Sequence, residues 1–451
     1  MKLSGLSVAA AAFLAIMSSL ASCSSDMNPV DHLRNINGDK AYVQLDLNVA
    51  ATRADDGAST TSAETAISSV YLYIFDNDGN LESGPLAPAI TDGKVTLETT
   101  PGIKTIYAIA NKDVFAAAGS SSAQLTADEF ESAIIDASLS SLKLTKSFVL
   151  VGKTVTSSLT GSKTPVNIPA SNRLQINLER LLARAHVVSS SFSNSAVGIS
   201  KFNPSQFNVL QTAGKMKLLS DGDEISDDYV DSDSNGTYDG YSYSLDEGSN
   251  VDITSSFDLK NCLYIPENIV ASPVAGNTTF LVLSYSVIPE KYYSYNNGSL
   301  QTNTASYGLG SMTAIGIYDS DGNFMDFYKD SDGKILFFAS ESAVNAYKNE
   351  YSSDFPSITT YKNLVYSNGI AYYRVNISDV GNDKTNYRVL RNKSYTITVN
   401  SISNLGMPSA ADLIPSNPAS SLEESENQQK TWLNATFSVA GWSVENQGID
   451  L

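Results

Sequence analysis

From Thr431 to Leu451 the chain reads as a β-strand set apart from everything before it, and a lone strand is not a stable structure. Leu433, Ala435, Phe437 and Val439 alternate with Asn434, Thr436 and Ser438, the period of two of a half-buried strand. Trp442 and Val444 continue the pattern on the opposite face, with Gly441 at the change of phase, where a bulge is expected. The segment ahead of it, residues 408–430, is rich in Pro, Ser, Asn and Glu and poor in core formers, so an extended, flexible linker is expected there. An apolar strand on a polar tether is built for delivery to a partner.

The other end of the chain carries a matching oddity. Met1 and Lys2 precede a short apolar run to Leu20, the charged start and hydrophobic core of a secretory signal, and Leu20-Ala21-Ser22-Cys23 has the form of a bacterial lipobox. Residues 1–22 are therefore expected to be a lipoprotein signal peptide and Cys23 the lipidated residue; the plainer alternative is an ordinary signal with a chance cysteine. The run is too short and too rich in Ser and Ala to remain as a membrane span. With Cys23 lipidated only Cys262 is left, which excludes an intrachain disulfide.

Within residues 41–50 alternation is complete: Val43, Leu45, Leu47 and Val49 on one side, Tyr42, Gln44, Asp46 and Asn48 on the other. A polar stretch rich in Ser, Thr and Ala extends from there to Ser62. It holds Arg53, the only basic residue between Lys40 and Lys94, so a protease specific for arginine meets one obvious target and leaves Ala54 at the new end. A plain loop is the alternative.

The 451 residues suffice for two domains, and a formal net charge of -19 argues against nucleic acid and against an anionic membrane surface as partners. Strand patterns recur at Val70 to Phe75, Thr105 to Ala110, Arg173 to Val188, Phe280 to Ile288, Tyr372 to Ile377 and Ser394 to Ile402. Turn clusters such as Asp76-Asn77-Asp78-Gly79-Asn80, Asp319-Ser320-Asp321-Gly322-Asn323 and Asp330-Ser331-Asp332-Gly333 separate short strands, as in β-sandwiches. Helices are expected only at Thr126 to Ala137, where Thr126 and Glu129 have capping-box spacing, and at Ser342 to Tyr351. The Ser/Asn-rich run after Val188 places a domain boundary at about 190, separating residues 54–190 from 191–407.

The search for chemistry is mostly negative. The histidines are His32 and His186, the latter in a strand pattern and expected to be a sheet residue, and no phosphate loop or Cys/His cluster is present. The acidic run Asp221 to Gly240 places Asp231, Asp233, Asn235 and Gly236 at calcium-loop spacing, but Ser242 stands where the bidentate Glu is required, so a solvated loop is expected. A glycosidase carboxylate pair stays open on the sequence alone. No catalytic residue, metal or cofactor is expected, and the chain is read as not an enzyme.

Several of these segments together resemble the major fimbrial subunits, or fimbrillins, of Bacteroidia-type (type V) pili. They are the lipobox with the Thr52-Arg53-Ala54 site; Leu178-Glu179-Arg180-Leu181-Leu182-Ala183-Arg184-Ala185; Leu263-Tyr264-Ile265-Pro266-Glu267-Asn268; Val389-Leu390-Arg391-Asn392-Lys393-Ser394-Tyr395; and Val439-Ala440-Gly441-Trp442 with Gly448-Ile449-Asp450-Leu451. The resemblance implies an all-β chain of two tandem transthyretin-like Greek-key β-sandwich domains with minor helices and a detachable C-terminal strand. It implies a propeptide, 23–53, that includes a removable first strand with Val43, Leu45, Leu47 and Val49 inward. It implies maturation by an Arg-specific surface protease at Arg53, and donation of residues 431–451, through Leu433, Phe437, Val439, Trp442 and Val444, to the vacated groove of an identical subunit. The implied partners are further copies of the chain, anchor and tip fimbrial subunits, and the outer membrane through the lipid on the precursor. A tip, accessory or anchor fimbrial subunit and a surface glycan-binding lipoprotein are the rival readings.

Overall fold

The computed structural model describes residues 40–49, 60–119, 125–219, 240–242, 250–270, 272–305, 310–353, 360–379, 387–415, 417–422 and 432–441. Cys23, His32, Arg53, Ala54, Trp442, Val444 and all of the acidic run but Gly240 lie outside the described residues.

The N-terminal half is built from β1 (Ala41–Val49), β2 (Val70–Phe75), β3 (Leu81–Leu86), β4 (Lys94–Thr99), β5 (Thr105–Ala110), β6 (Ile134–Asp136), β7 (Leu150–Val155) and β8 (Arg173–Arg180). All but β6 lie on one hydrogen-bonded path, β3-β2-β5-β7-β8-β1-β4. The path folds into two layers because β8 changes partner along its length: Arg173 to Leu178 run parallel to β1, whereas Glu179 and Arg180 pair with β7. Inward side chains of both layers then share one core, with Phe130 at its centre against Tyr73, Phe75, Tyr107 and Phe115. The β2–β3 turn is local chemistry: Asp76 accepts from the backbone N–H of Asp78 and Asn80, and Gly79 takes φ +78°. Asp319 and Asp330 repeat the device with Asp321, Asn323, Asp332 and Lys334.

A second domain opens with β9 (Leu182–Val188), which lies between the strands Leu263–Pro266 and Lys393–Ile402 in a four-stranded sheet. Its core also takes the inward faces of Ile199–Leu210, Phe280–Pro289 and Ile370–Asn376, paired in that order. Beyond them a further sheet, centred on Ser311–Tyr318, packs under the helix Glu341–Glu350, which is close to the helix expected there and is capped by Ser340.

Four expectations need correction. The run Arg173 to Val188 is two strands, interrupted at Leu181, and core membership changes between Leu182 and Ala183. Beyond it Met216 and Leu218 return to the N-terminal core, because the strand Lys215–Lys217 pairs with β6. That pairing also shortens the helix expected at Thr126 to Ala137: its capping box holds, but it ends at Glu131, and Ile134, exposed, and Ile135, buried, alternate as a strand. The stretch expected to be a flexible linker from 408 is anchored over its described part. Ala410, Leu413 and Leu422 are buried, and Gly276 passes so close to Pro418 that an added Cβ would lie 2.3 Å from it. Finally, the tail strand, Leu433–Gly441, is not detached but pairs antiparallel with Lys393–Ile402 at the edge of its own domain's sheet.

Among the described residues no helix is long and apolar enough to cross a membrane.

Candidate functional site

β1 occupies a slot between two strands. It pairs antiparallel with β4 from Ala41↔Thr99 to Asp46↔Lys94 and parallel with β8 from Gln44↔Arg173 to Val49↔Leu178. Ala41, Val43 and Leu45 are 0 % exposed and Leu47 6 %, while Val49 is half-buried at the rim. Three of these are the removable-strand side chains expected to be in the core, each contributing about 1.5–3 kcal/mol by burial. The outward side makes exposed contacts, Tyr42 and Lys40 to Glu98 and Lys94 to Asp46 at 3.8 Å, which contribute little.

β4 pairs with β1 alone among the described strands, so loss of β1 would leave it without a ladder. Its far end is tied independently. Glu82 accepts from the Thr99 hydroxyl at 2.6 Å and from the Thr100 N–H at 2.8 Å, and it forms a largely buried ion pair with Lys104 at the start of β5. Burial would raise the Glu82 carboxyl, but the donors Lys104, Thr99 and Thr100 outweigh it and hold the pKa below its ordinary value.

The tail strand has one ladder, Ile402↔Leu433 to Lys393↔Gly441, with a register shift near Val399. Ahead of it Trp432, 8 % exposed, sits against Phe324 and Phe327 with ring centroids 5.7 and 5.5 Å away. Leu433 is buried, Ala435, Phe437 and Val439 pack half-buried on the same core, and Asn434, Thr436 and Ser438 are exposed.

The three internal segments that carry the fimbrillin resemblance meet at the domain junction. Arg180 donates to Asn392 Oδ1 at 2.9 Å, Arg184 to Ser394 Oγ at 3.0 Å, and Arg391 to Glu267 Oε2 through Nε and Nη2 at 3.0 and 2.6 Å. Arg391 also donates to the carbonyls of Leu218 and Lys217, and so reaches the strand that pairs with the N-terminal domain. At the centre lies Glu64, 1 % exposed, which accepts from Arg184, from the Tyr264 hydroxyl at 2.9 Å and from the Thr61 N–H at 2.7 Å; its carbonyl accepts from Arg180 Nε. Burial depresses the Arg180 guanidinium to about 10, with Glu64 opposing the shift and Arg184 adding to it. Sequence reasoning missed Glu64. Its one signal is the Thr61/Glu64 capping-box spacing, realised in the short helix α1 (Ser62–Thr65) just downstream of the Arg53 segment.

His186 is 1 % exposed in β9, with Nε2 3.0 Å from Thr254 Oγ1 and its ring 4.9 Å from Phe257. Burial pushes it down to about 4, against Asp258, which raises it, and together with Arg184. The neutral form is therefore favoured on folding, and wild-type stability should fall as pH drops from 6.5 to about 4, because the unfolded chain binds the extra proton first. His186→Gln should flatten that part of the profile in a pH series of thermal melts. It should leave assembly unchanged; a hydrolase activity abolished by this one change would overturn the non-enzymatic reading. Burial likewise pushes the Cys262 thiol up to about 12, so it is no ready nucleophile. Of the exposed tyrosines, Tyr351 lies 4.4 Å from Tyr347, and Lys348 sits over the Tyr361 ring.

Two family models match. One, described as major fimbrial subunit protein (FimA), covers residues 41–218, and the other, major fimbrial subunit protein type IV, fimbrillin, C-terminal, covers residues 364–448. None of the curated proteins matches. Similar solved structures include a fimbrilin from Porphyromonas gingivalis W83, at 15 % identity, 90 % of this chain, 99 % of that one and TM-score 0.46. A putative cell adhesion protein from Parabacteroides distasonis ATCC 8503 gives 14 %, 90 %, 100 % and 0.46. The tip fimbrial protein Mfa3 from Porphyromonas gingivalis with C-terminal truncation gives 13 %, 89 %, 100 % and 0.42.

Proposed function

The chain belongs to the major fimbrial subunit (fimbrillin) family, and from that premise we propose that it is a shaft subunit of a cell-surface fimbrium that polymerises by protease-triggered strand exchange. The precursor is exported as a lipoprotein of the outer membrane through Cys23, an arginine-specific surface protease cuts between Arg53 and Ala54, β1 leaves, and the C-terminal strand of the next copy fills its slot. Anchor and tip subunits then end the polymer, and adhesion is its use.

The observation that carries this reading is the place of β1: inside a sheet, with a ladder on each side and its apolar face buried, yet joined to α1 by the segment that holds Arg53. Most strands so placed could not be lost without dismantling the fold; here a single cut severs the connection. The vacated slot would expose core side chains and two unpaired strand edges, which favours rapid capture of another strand. The tail has a motive to move. On its own domain it has one ladder and half-buried Ala435, Phe437 and Val439; in the slot it would have two ladders and full burial. The contact is head to tail and does not close on itself, so it yields a filament.

Limited digestion with an arginine-specific protease is the test. Arg180 and Arg184 are 0 % exposed and protected, so the first cut is expected after Arg53, with Ala54 at the start of the large product and filaments in electron micrographs of it. Arg53→Gln should stop both. Early cutting in the body, or filaments from uncut Arg53→Gln precursor, would overturn the proposal.

A further inference from the structure

The slot is wider than its two flanking strands. The ladder between β1 and β8 starts at Gln44, because β8 begins at Arg173, so Tyr42 has no strand on that side. Two side chains from the preceding loop stand in for one. The Tyr42 N–H donates to Ser162 Oγ at 2.7 Å, and its carbonyl accepts from Asn172 Nδ2 at 3.0 Å. The Ser162 N–H in turn donates to the Lys40 carbonyl at 2.7 Å. Asn172 is 0 % exposed, and it is held by its own loop rather than by β1. Its Nδ2 also donates to the Thr160 carbonyl at 2.8 Å, and its Oδ1 accepts from the Thr160 N–H at 2.9 Å and from the Ser171 hydroxyl at 3.1 Å.

We propose that Ser162 and Asn172 form a peptide-backbone binding site, a clasp for one residue of an incoming extended strand that fixes its register in the slot. The proposal rests on the strand-exchange reading. When β1 leaves, the loop bonds keep the Asn172 amide in place, and one N–H remains aimed into the slot from a fully buried side chain. Leaving it unpaired costs free energy, as does the Ser162 oxygen to a lesser degree. A strand with the polarity of β1 meets both with the N–H and C=O of a single residue, and a shift by one residue would turn its apolar face to solvent. The clasp reads backbone only, so it selects extended chain and position rather than sequence. Tyr42 is an outward residue, so the residue it receives is one of the tail's outward set, Asn434, Thr436 or Ser438.

The test uses the full chain cut at Arg53 and synthetic peptides spanning Trp432 to Val444 in which one amide at a time is replaced by an ester. The ester removes a single N–H without adding bulk. At one of Asn434, Thr436 and Ser438 the ester is expected to weaken uptake roughly 3- to 10-fold, the scale of one hydrogen bond. In Ser162→Ala, whose precursor melt should be near wild type because Ser162 is only half-buried, the same ester should have no further effect. Equal ester penalties in wild type and Ser162→Ala at all three positions overturn the clasp while leaving strand exchange standing. If the cut wild type does not take up even the all-amide peptide, the strand-exchange reading fails, and the clasp with it.

Discussion

Glu64→Ala should lower the melting temperature of the uncut precursor by roughly 10 °C, the counterpart of about 3–5 kcal/mol for removing one partner of a buried ion pair. The size reflects the groups that the substitution strands. Arg180 and Arg184, both 0 % exposed, lie close enough that Arg184 already lowers the Arg180 pKa, and the carboxylate between them is what offsets their repulsion. Tyr264 and the Thr61 N–H would also lose their acceptor. Glu64→Gln keeps the volume and one acceptor oxygen but not the charge, so it should fall between Ala and wild type. A second readout separates a junction role from general softening: Arg180 bonds to Asn392 and Arg184 to Ser394 across the two domains. Small-angle scattering of Glu64→Ala below its melting point should therefore show a broader spread of interdomain distances. A shift under about 2 °C would mean that the cluster contributes no more than an exposed ion pair.

The junction also marks what the sequence could and could not disclose. Period-two alternation located β1, which buries one face, and short apolar runs located β2 and β5, which bury both; each signal is local. The Asp-x-Asp-Gly turns were legible for the same reason, since Asp76, Asp319 and Asp330 bond to backbone within their own turn. The helix expected at Thr126 to Ala137 stops short of Ile134 and Ile135 because what makes them a strand is Lys215–Lys217, far along the chain. Glu64 is the extreme case. A lone carboxylate in a polar stretch carries no mark of burial, and the arginines and tyrosine that bury it come from β8, β9 and the strand Leu263–Pro266. In the slot, apolar Val43, Leu45 and Leu47 were legible, whereas Asn172, Ser162 and Glu82 act through hydrogen bonds that no pattern announces.

The tail shows the same limit from the opposite side: alternation told that Leu433 to Val439 is a strand and which face is apolar, but an edge in the same copy and an edge in another satisfy that pattern equally. The docked position makes truncation costly. A chain ending at Lys430 should be less stable than the full precursor. It loses Trp432 from between Phe324 and Phe327, a change of about 3–5 kcal/mol if it behaves like other large buried aromatics, and it opens the edge of Lys393–Ile402. Calorimetry should place the loss in the C-terminal domain and leave the N-terminal transition, whose core holds none of the described tail residues, near its wild-type temperature. Point changes then divide the tail by role. Trp432→Ala should reproduce most of the loss in the precursor. Phe437→Asp and Val439→Asp, at half-buried positions, should cost the precursor less than they cost uptake into the slot, where the same side chains would be fully desolvated. Thr436→Asp should disturb neither much. If truncation leaves both transitions unmoved, the docked strand contributes nothing at home, and the energetic contrast between one ladder and two is not what drives the exchange.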